Sequence, residues 1–150
     1  MYSSDSAVDA VAGGTRAMLG LTVRSLGPTL EVVTLQQWRV LALLDRLGDL
    51  RLVDIGGHLD TAAPTTSRMI ERLVTKGYVD RRVSENSRRE NLVRLTRDGQ
   101  RLVDEAKNRR RTAIVALMDS FSEDERTTIG RAADLLRSRL EADLLESQVL

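Results

Sequence analysis

Residues 53–83 read VDIGGHLDTAAPTTSRMIERLVTKGYVDRRV, and their periodicity decides the fold. Leu52, Ile55 and Leu59 place one apolar stripe on a short helix near Val53–Leu59. Asp60-Thr61 is a turn. A second helix spans roughly Ala62–Lys76, with Met69, Ile70, Leu73 and Val74 expected inward and Pro64 in the first turn, where a missing N–H is tolerated. Gly77 stands where a left-handed residue ends a helix. Tyr78–Val83 then reads as a strand, Ser84–Glu90 as a polar tip and Asn91–Leu95 as the returning strand. Two short helices, a tight turn and a basic hairpin form a winged helix-turn-helix, whose second helix suits the major groove of DNA.

Working outward, a helix from about Ala7 to Leu26 is expected to stop at Gly27-Pro28, because proline cannot continue the ladder. Thr34 caps the next helix, with Leu35, Trp38, Leu41, Leu44 and Leu47 as its stripe and Gly48 as its stop. After the hairpin, Thr96 opens a long helix striped by Leu102, Ala106, Ala113, Leu117 and Phe121. Ser122, with Glu123 and Glu125 in the following turn, opens the last helix, striped by Ile129, Ala133, Leu136, Leu140 and Leu144. The expected class is mostly α with a small β-hairpin wing, α+β, flanked by helical arms. Those arms carry apolar stripes that one subunit can hardly bury, so association is expected.

Charge is segregated along the chain. The net +1 divides into −2 from Met1 to Asp60, +7 from Thr61 to Arg111 and −4 from Thr112 to Leu150. A basic middle between acidic ends suits a polyanion, though solvated faces alone would leave the same pattern. The outward face of the second helix sharpens the reading. Thr65, Arg68, Arg72 and Thr75 recur at helical spacing opposite Met69 and Leu73, offering hydroxyls and guanidinium forks to phosphates or guanine edges. Pro64, Thr65, Thr66 and Ser67 crowd the helix N-terminus and are placed among the DNA contacts. Arg88 and Arg89 at the hairpin tip, with Arg81, Arg82, Arg94 and Arg97 near, suit a narrow minor groove.

Other chemistries find no support in the residues. With no cysteine, thiolate metal sites and disulfides are excluded. Asp54 and His58 sit four apart, but no second histidine completes a metal site. There is no G-x-S-x-G elbow and no phosphate loop after Gly13-Gly14, so neither an enzyme nor a cofactor is expected. The N-terminus reads as no signal peptide, no apolar run reaches spanning length, and a cytoplasmic protein is expected. Trp38 is either core or ligand platform; Arg109-Arg110-Arg111 is either a solvated face or a distal phosphate contact.

The chain resembles the MarR (multiple-antibiotic-resistance regulator) family. The carriers are TLQQWRVL at 34–41, SRMIERL at 67–73 with KGYV at 76–79, Arg81-Arg82, the wing Asn86-Ser87-Arg88-Arg89, and LTRDG at 95–99. The resemblance covers nearly the whole chain as one domain, 1–150, with residues 34–97 as the DNA-binding part and 5–30 and 98–150 as the dimerisation part. It implies a homodimer joined through Val8, Val11, Leu117, Phe121, Leu136, Leu140 and Leu144, straddling a pseudo-palindromic operator on double-stranded DNA. It further implies repression relieved by a small aromatic effector, in a pocket that Trp38, Arg16 and His58 approach. Two departures stand out: Asn86 replaces the usual wing aspartate that orients Arg88, with Arg81 and Arg82 supporting the wing, and Gly56 replaces a usual alanine at the helix contact. Thr61 or Asp60 is expected to compensate for Ala62 at the cap. The alternative is a winged-helix protein-interaction module that dimerises without reading DNA.

Overall fold

The computed structural model describes the backbone of residues 3–84 and 87–147, and the side chains of these except 83, 84, 87–91 and 141–147. In chain order the elements are α1 (Ser4–Leu30), α2 (Leu35–Leu47), β1 (Leu50–Arg51), α3 (Leu52–Leu59), α4 (Ala63–Thr75), β2 (Val79–Ser84), β3 (Ser87–Leu95), α5 (Arg97–Met118) and α6 (Glu123–Ser147). Among the described residues, no helix is long and apolar enough to cross a membrane.

α1 starts at Ser3, whose hydroxyl accepts the Ser6 N–H, and it outlasts Gly27-Pro28 to end at Leu30. Pro28 lies in the last turn, where the proline removes a single ladder bond. That turn is tied from outside: Arg109 of α5 donates from Nε to the Ser25 carbonyl (3.1 Å) and from a terminal nitrogen to the Thr29 hydroxyl (2.6 Å). Arg109 is therefore a half-buried strut between α1 and α5, not a solvated face.

α2 opens with a capping box, Thr34 and Gln37 each bonding the other's backbone N–H, and closes at Gly48 with φ +82°. Its expected stripe is only partly inside. Leu35 and Leu47 are 56% and 45% exposed, and the buried set is Gln37, Val40, Leu41, Leu43 and Leu44. Three-residue steps each fall about 60° short of a full turn, so a stripe spaced strictly by three winds off the buried face.

The wing is a three-stranded antiparallel sheet ordered β1-β3-β2, one strand more than a hairpin. β1 pairs Leu50 with Val93 and Arg51 with Leu92; two residues are too few for alternation to announce them. The hairpin arms run further than the apolar pattern suggests, with β3 beginning at Ser87, paired with Ser84 beyond an irregularity after Val83. The polar stretch expected as a tip is thus largely strand, since backbone pairing requires no apolar side chains.

The core comprises Val33, Val40, Leu41, Leu43, Leu44, Ile55, Leu59, Met69, Ile70, Leu73, Val79, Val93 and Val103, with Trp38 packed at its edge. On α4 the inward set is Thr66, Met69, Ile70 and Leu73; Val74, expected inside, is 40% exposed. On α5 the buried residues are Gly99, Val103 and Ala106, so Val103 takes the place that the expected stripe gave to Leu102, which is half-buried. Thr96 caps α5 through the Gly99 N–H, and Ser122 opens α6 in a reciprocal pair with Glu125. Of the arm residues expected at an interface, Val8, Val11, Leu117, Leu136 and Leu140 are 63%, 47%, 39%, 47% and 57% exposed, and Phe121 is half-buried. The Leu144 side chain lies outside the described residues.

Candidate nucleic-acid interface

α3 and α4 meet through a turn in which Asp60 takes a left-handed conformation, φ 50°, and Thr61 N–H bonds back to the Gly56 carbonyl (3.0 Å). The close approach explains Gly56: a Cβ there would lie 3.1 Å from the Thr66 hydroxyl and 3.2 Å from the Thr61 carbonyl. α4 begins at Ala62 with no side-chain cap. Neither Thr61 nor Asp60 supplies one; the Thr61 hydroxyl is engaged with that of Thr66 at 2.8 Å.

The outward face of α4 presents Pro64, Thr65, Arg68, Arg72 and Thr75, all exposed. Neither Arg68 nor Arg72 has a hydrogen bond or ion pair among the described residues, so both guanidinium forks face solvent without a protein partner. Ser67 is half-buried and donates to Glu71 (3.1 Å), while Thr75 donates to the Glu71 carbonyl (3.0 Å). Thr66, expected among the DNA contacts, is fully buried and turned toward the turn, so its hydroxyl cannot meet a base or phosphate directly. Helical phase accounts for this: Thr66 lies three, four and seven residues from Met69, Ile70 and Leu73, on their stripe.

In the wing, Asp80 and Arg94 face each other across β2 and β3 and form a bidentate pair (2.8 and 2.9 Å). The Arg94 guanidinium holds the Asp80 carboxyl below the usual carboxylate range, and Asp80 raises Arg94 in turn. Opposite charges at a directly paired register could have found this tie. Arg81 and Arg82, expected as wing support, are exposed and have no such bond among the described residues. Arg81 shares the Val93 side of the sheet and, with Arg51, Leu52, Gly56, Gly57, Asp60 and Thr61, walls a cleft of about 880 Å³ between wing, α3 and the start of α4. Asn86 lies outside the described residues, as do the side chains of Arg88 and Arg89, whose backbones belong to β3.

Asp54 is held by Arg51 (2.7 and 2.9 Å), and no group of three potential metal ligands occurs among the described residues. His58 and Trp38 are half-buried; Arg16 is exposed on α1. A second polar centre, which the sequence reading missed, joins α2 to α5. Asp45 accepts from Lys107 (2.6 Å) and Gln100 (2.9 Å). Partial burial pushes the Asp45 carboxyl up, and these two bonds more than offset it, leaving it below its ordinary value.

Comparison with known proteins agrees with this geometry. The MarR family model matches residues 33–91. The uncharacterized HTH-type transcriptional regulator YwoH of Bacillus subtilis is 39% identical over 69 residues, 46% of this chain and 50% of the relative, so the match spans half that relative's length. Among solved structures, RV1404 from Mycobacterium tuberculosis superposes with a TM-score of 0.83 at 29% identity, covering 92% of this chain and 94% of that one. A mutant of MepR from S. aureus, bound to an oligodeoxyribonucleotide, gives 0.66 at 21% identity over 93% and 99% of the two chains, which establishes likeness of fold.

Proposed function

We propose that this chain, which carries the MarR-family domain over residues 33–91, is a sequence-specific double-stranded DNA-binding regulator of transcription. It acts by binding and not by catalysis. The observation that carries the reading is the outward face of α4, where Thr65, Arg68, Arg72 and Thr75 stand exposed beside the wing with both arginines unpaired among the described residues. Such a face can enter a major groove, with Arg68 and Arg72 as bidentate readers and Thr65 and Pro64 near the phosphates. Ser67, half-buried, contributes at the same end, and Arg88 and Arg89 reach the adjacent minor groove.

The working unit is a homodimer, with residues 34–97 as the reading part and 5–30 and 98–150 as the dimerisation part. The exposed Val8, Val11, Leu117, Leu136 and Leu140, with Phe121 and Leu144, are the surface that a second copy covers. Two reading heads then sit about 34–36 Å apart on a pseudo-palindromic operator. The regulator acts in the cytoplasm as a repressor, and a small aromatic effector releases it.

The test is footprinting on the DNA upstream of its own gene, followed by anisotropy titrations of the protected duplex against a scrambled duplex. A symmetric footprint with two half-sites one helical turn apart is expected, and Arg68→Ala should weaken base preference by about 1–3 kcal/mol. Equal affinity for both duplexes would overturn the reading in favour of a protein-interaction module.

A further inference from the structure

Thr66 occupies the first turn of the helix that faces DNA, yet it is fully buried. Its hydroxyl lies 2.8 Å from that of Thr61 and 3.3 Å from the Ala62 carbonyl. One arrangement of the two protons satisfies both contacts: Thr61 donates to Thr66, and Thr66 donates to Ala62. The chain of hydroxyls joins the turn, the cap position and the helix. It rests on Gly56, where an added Cβ would come within 3.1 Å of the Thr66 oxygen. No side chain caps the free N–H groups of α4.

We infer that Thr66, Thr61 and Gly56 form a positioning latch that sets the pitch of α4 on α3, so that Thr66 governs sequence discrimination without touching DNA. The inference rests on the proposed reading of α4 as the base-contacting helix. Leverage decides the consequence. Arg72 lies six residues beyond Thr66, about 9 Å along the axis, so a tilt of about 5° moves its backbone by about 0.8 Å. That displacement exceeds the tolerance of a bidentate hydrogen bond to a base edge, whose distances span about half an ångström. Attraction between guanidinium and phosphate falls off slowly with distance and survives it. Loosening the latch therefore removes discrimination and leaves general affinity.

The experiment uses the full chain and a duplex selected by the wild type from a random library, with a scrambled duplex of equal length. Thr66→Val keeps the shape and removes the hydroxyl; Thr66→Ser keeps the hydroxyl. Thr66→Val should bind the selected duplex about tenfold more weakly and the scrambled duplex within about twofold of wild type. Thr66→Ser should restore most of the difference. Thr61→Ala should behave as Thr66→Val, and the double variant should be no worse than the poorer single one. If Thr66→Val does not fold, Thr61→Ala removes the donor from the turn and carries the same expectation.

Intact discrimination in the hydroxyl-deleted variants, or an equal loss on both duplexes, overturns the latch. A wild type that selects no motif overturns the proposed function itself, and the latch with it.

Discussion

Gly99→Ala offers the sharpest test of how the wing is joined to the arms. A Cβ at Gly99 would stand 2.0 Å from the Tyr78 carbonyl oxygen, 2.9 Å from its carbon and 3.2 Å from Leu95 Cδ2. To reach ordinary contact the carbonyl must retreat by about 1 Å or more. That same oxygen accepts the Thr96 N–H (3.1 Å), and the Thr96 hydroxyl donates to Gly77 (2.6 Å) while accepting from Gly99 (3.1 Å). A retreat strains the first bond directly, and the second through the adjoining Gly77 peptide. Two lost bonds at about 1 kcal/mol each, with about 1–3 kcal/mol of overpacking, give roughly 3–5 kcal/mol. Alanine's advantage over glycine within a helix returns up to about 1 kcal/mol. The net loss is roughly 2–4 kcal/mol, a fall in Tm of about 5–15 °C. Gly57→Ala is the matched control, because Gly57 is exposed inside α3 and nothing lies within 4 Å of its added Cβ. It should stabilise by up to about 1 kcal/mol. Urea and thermal unfolding at one fixed protein concentration measure both, since association makes Tm concentration-dependent. A Gly99→Ala protein within about 1 kcal/mol of wild type, or shifts of the same sign in both variants, would refute the reasoning.

Three further outcomes are expected. Asp45 is held below its ordinary range in the folded chain, so the unfolded chain takes up its proton first, near pH ~3.9. Its contribution is complete above that value and drains as pH falls through the lower folded value. Wild type should therefore lose stability on acidification faster than Asp45→Asn does, and parallel curves would remove Asp45 from the account. Leu136→Glu with Leu140→Glu should weaken self-association by more than about 100-fold in sedimentation equilibrium, since each substitution counts twice across a two-fold interface; an unchanged mass would show that the α6 face has another use. Affinity for DNA should fall with a log–log salt slope of about −5 or steeper between 50 and 200 mM, and a flat line would sink phosphate neutralisation as the driving term.

What was legible in the sequence follows from which interactions repeat along it. Caps and turns are local, so Thr34, Gly48, Gly77, Thr96 and Ser122 fall where residue chemistry puts them. The outward face of α4 was legible because Arg68 and Arg72 oppose Met69 and Leu73 on one helix. Long-range polar ties were not. Arg109 reaches the end of α1 across more than seventy residues, and Lys107 reaches Asp45 across more than fifty; no periodicity links such pairs. β1 is invisible for a different reason, since its two residues gain their identity from β3. Thr66 was misplaced because hydroxyl chemistry at a helix start suggests a phosphate contact, whereas helical phase against Met69, Ile70 and Leu73 puts it inside. Where chemistry and phase disagree within one turn, phase is the stronger guide, because burial of the stripe decides which way the helix rolls.

These same ties divide the labour of the chain. Apart from Leu21, every buried apolar side chain among the described residues lies between Val33 and Ala106, while α6 contributes none. The core is thus built by the segment from Val33 through the first half of α5, and α6 adds nothing to it among the described residues. α5 belongs to both halves: its start is locked to the wing through Thr96 and Gly99, its middle to α2 through Lys107 and Asp45, and Arg109 grips the last turn of α1. One helix therefore ties the end of α1, α2 and the base of the wing together. Hydrogen bonds and ion pairs fix those joints in direction as well as distance. If the proposed dimer forms through the arms, α5 is the helix that links that contact to the wing and to α2.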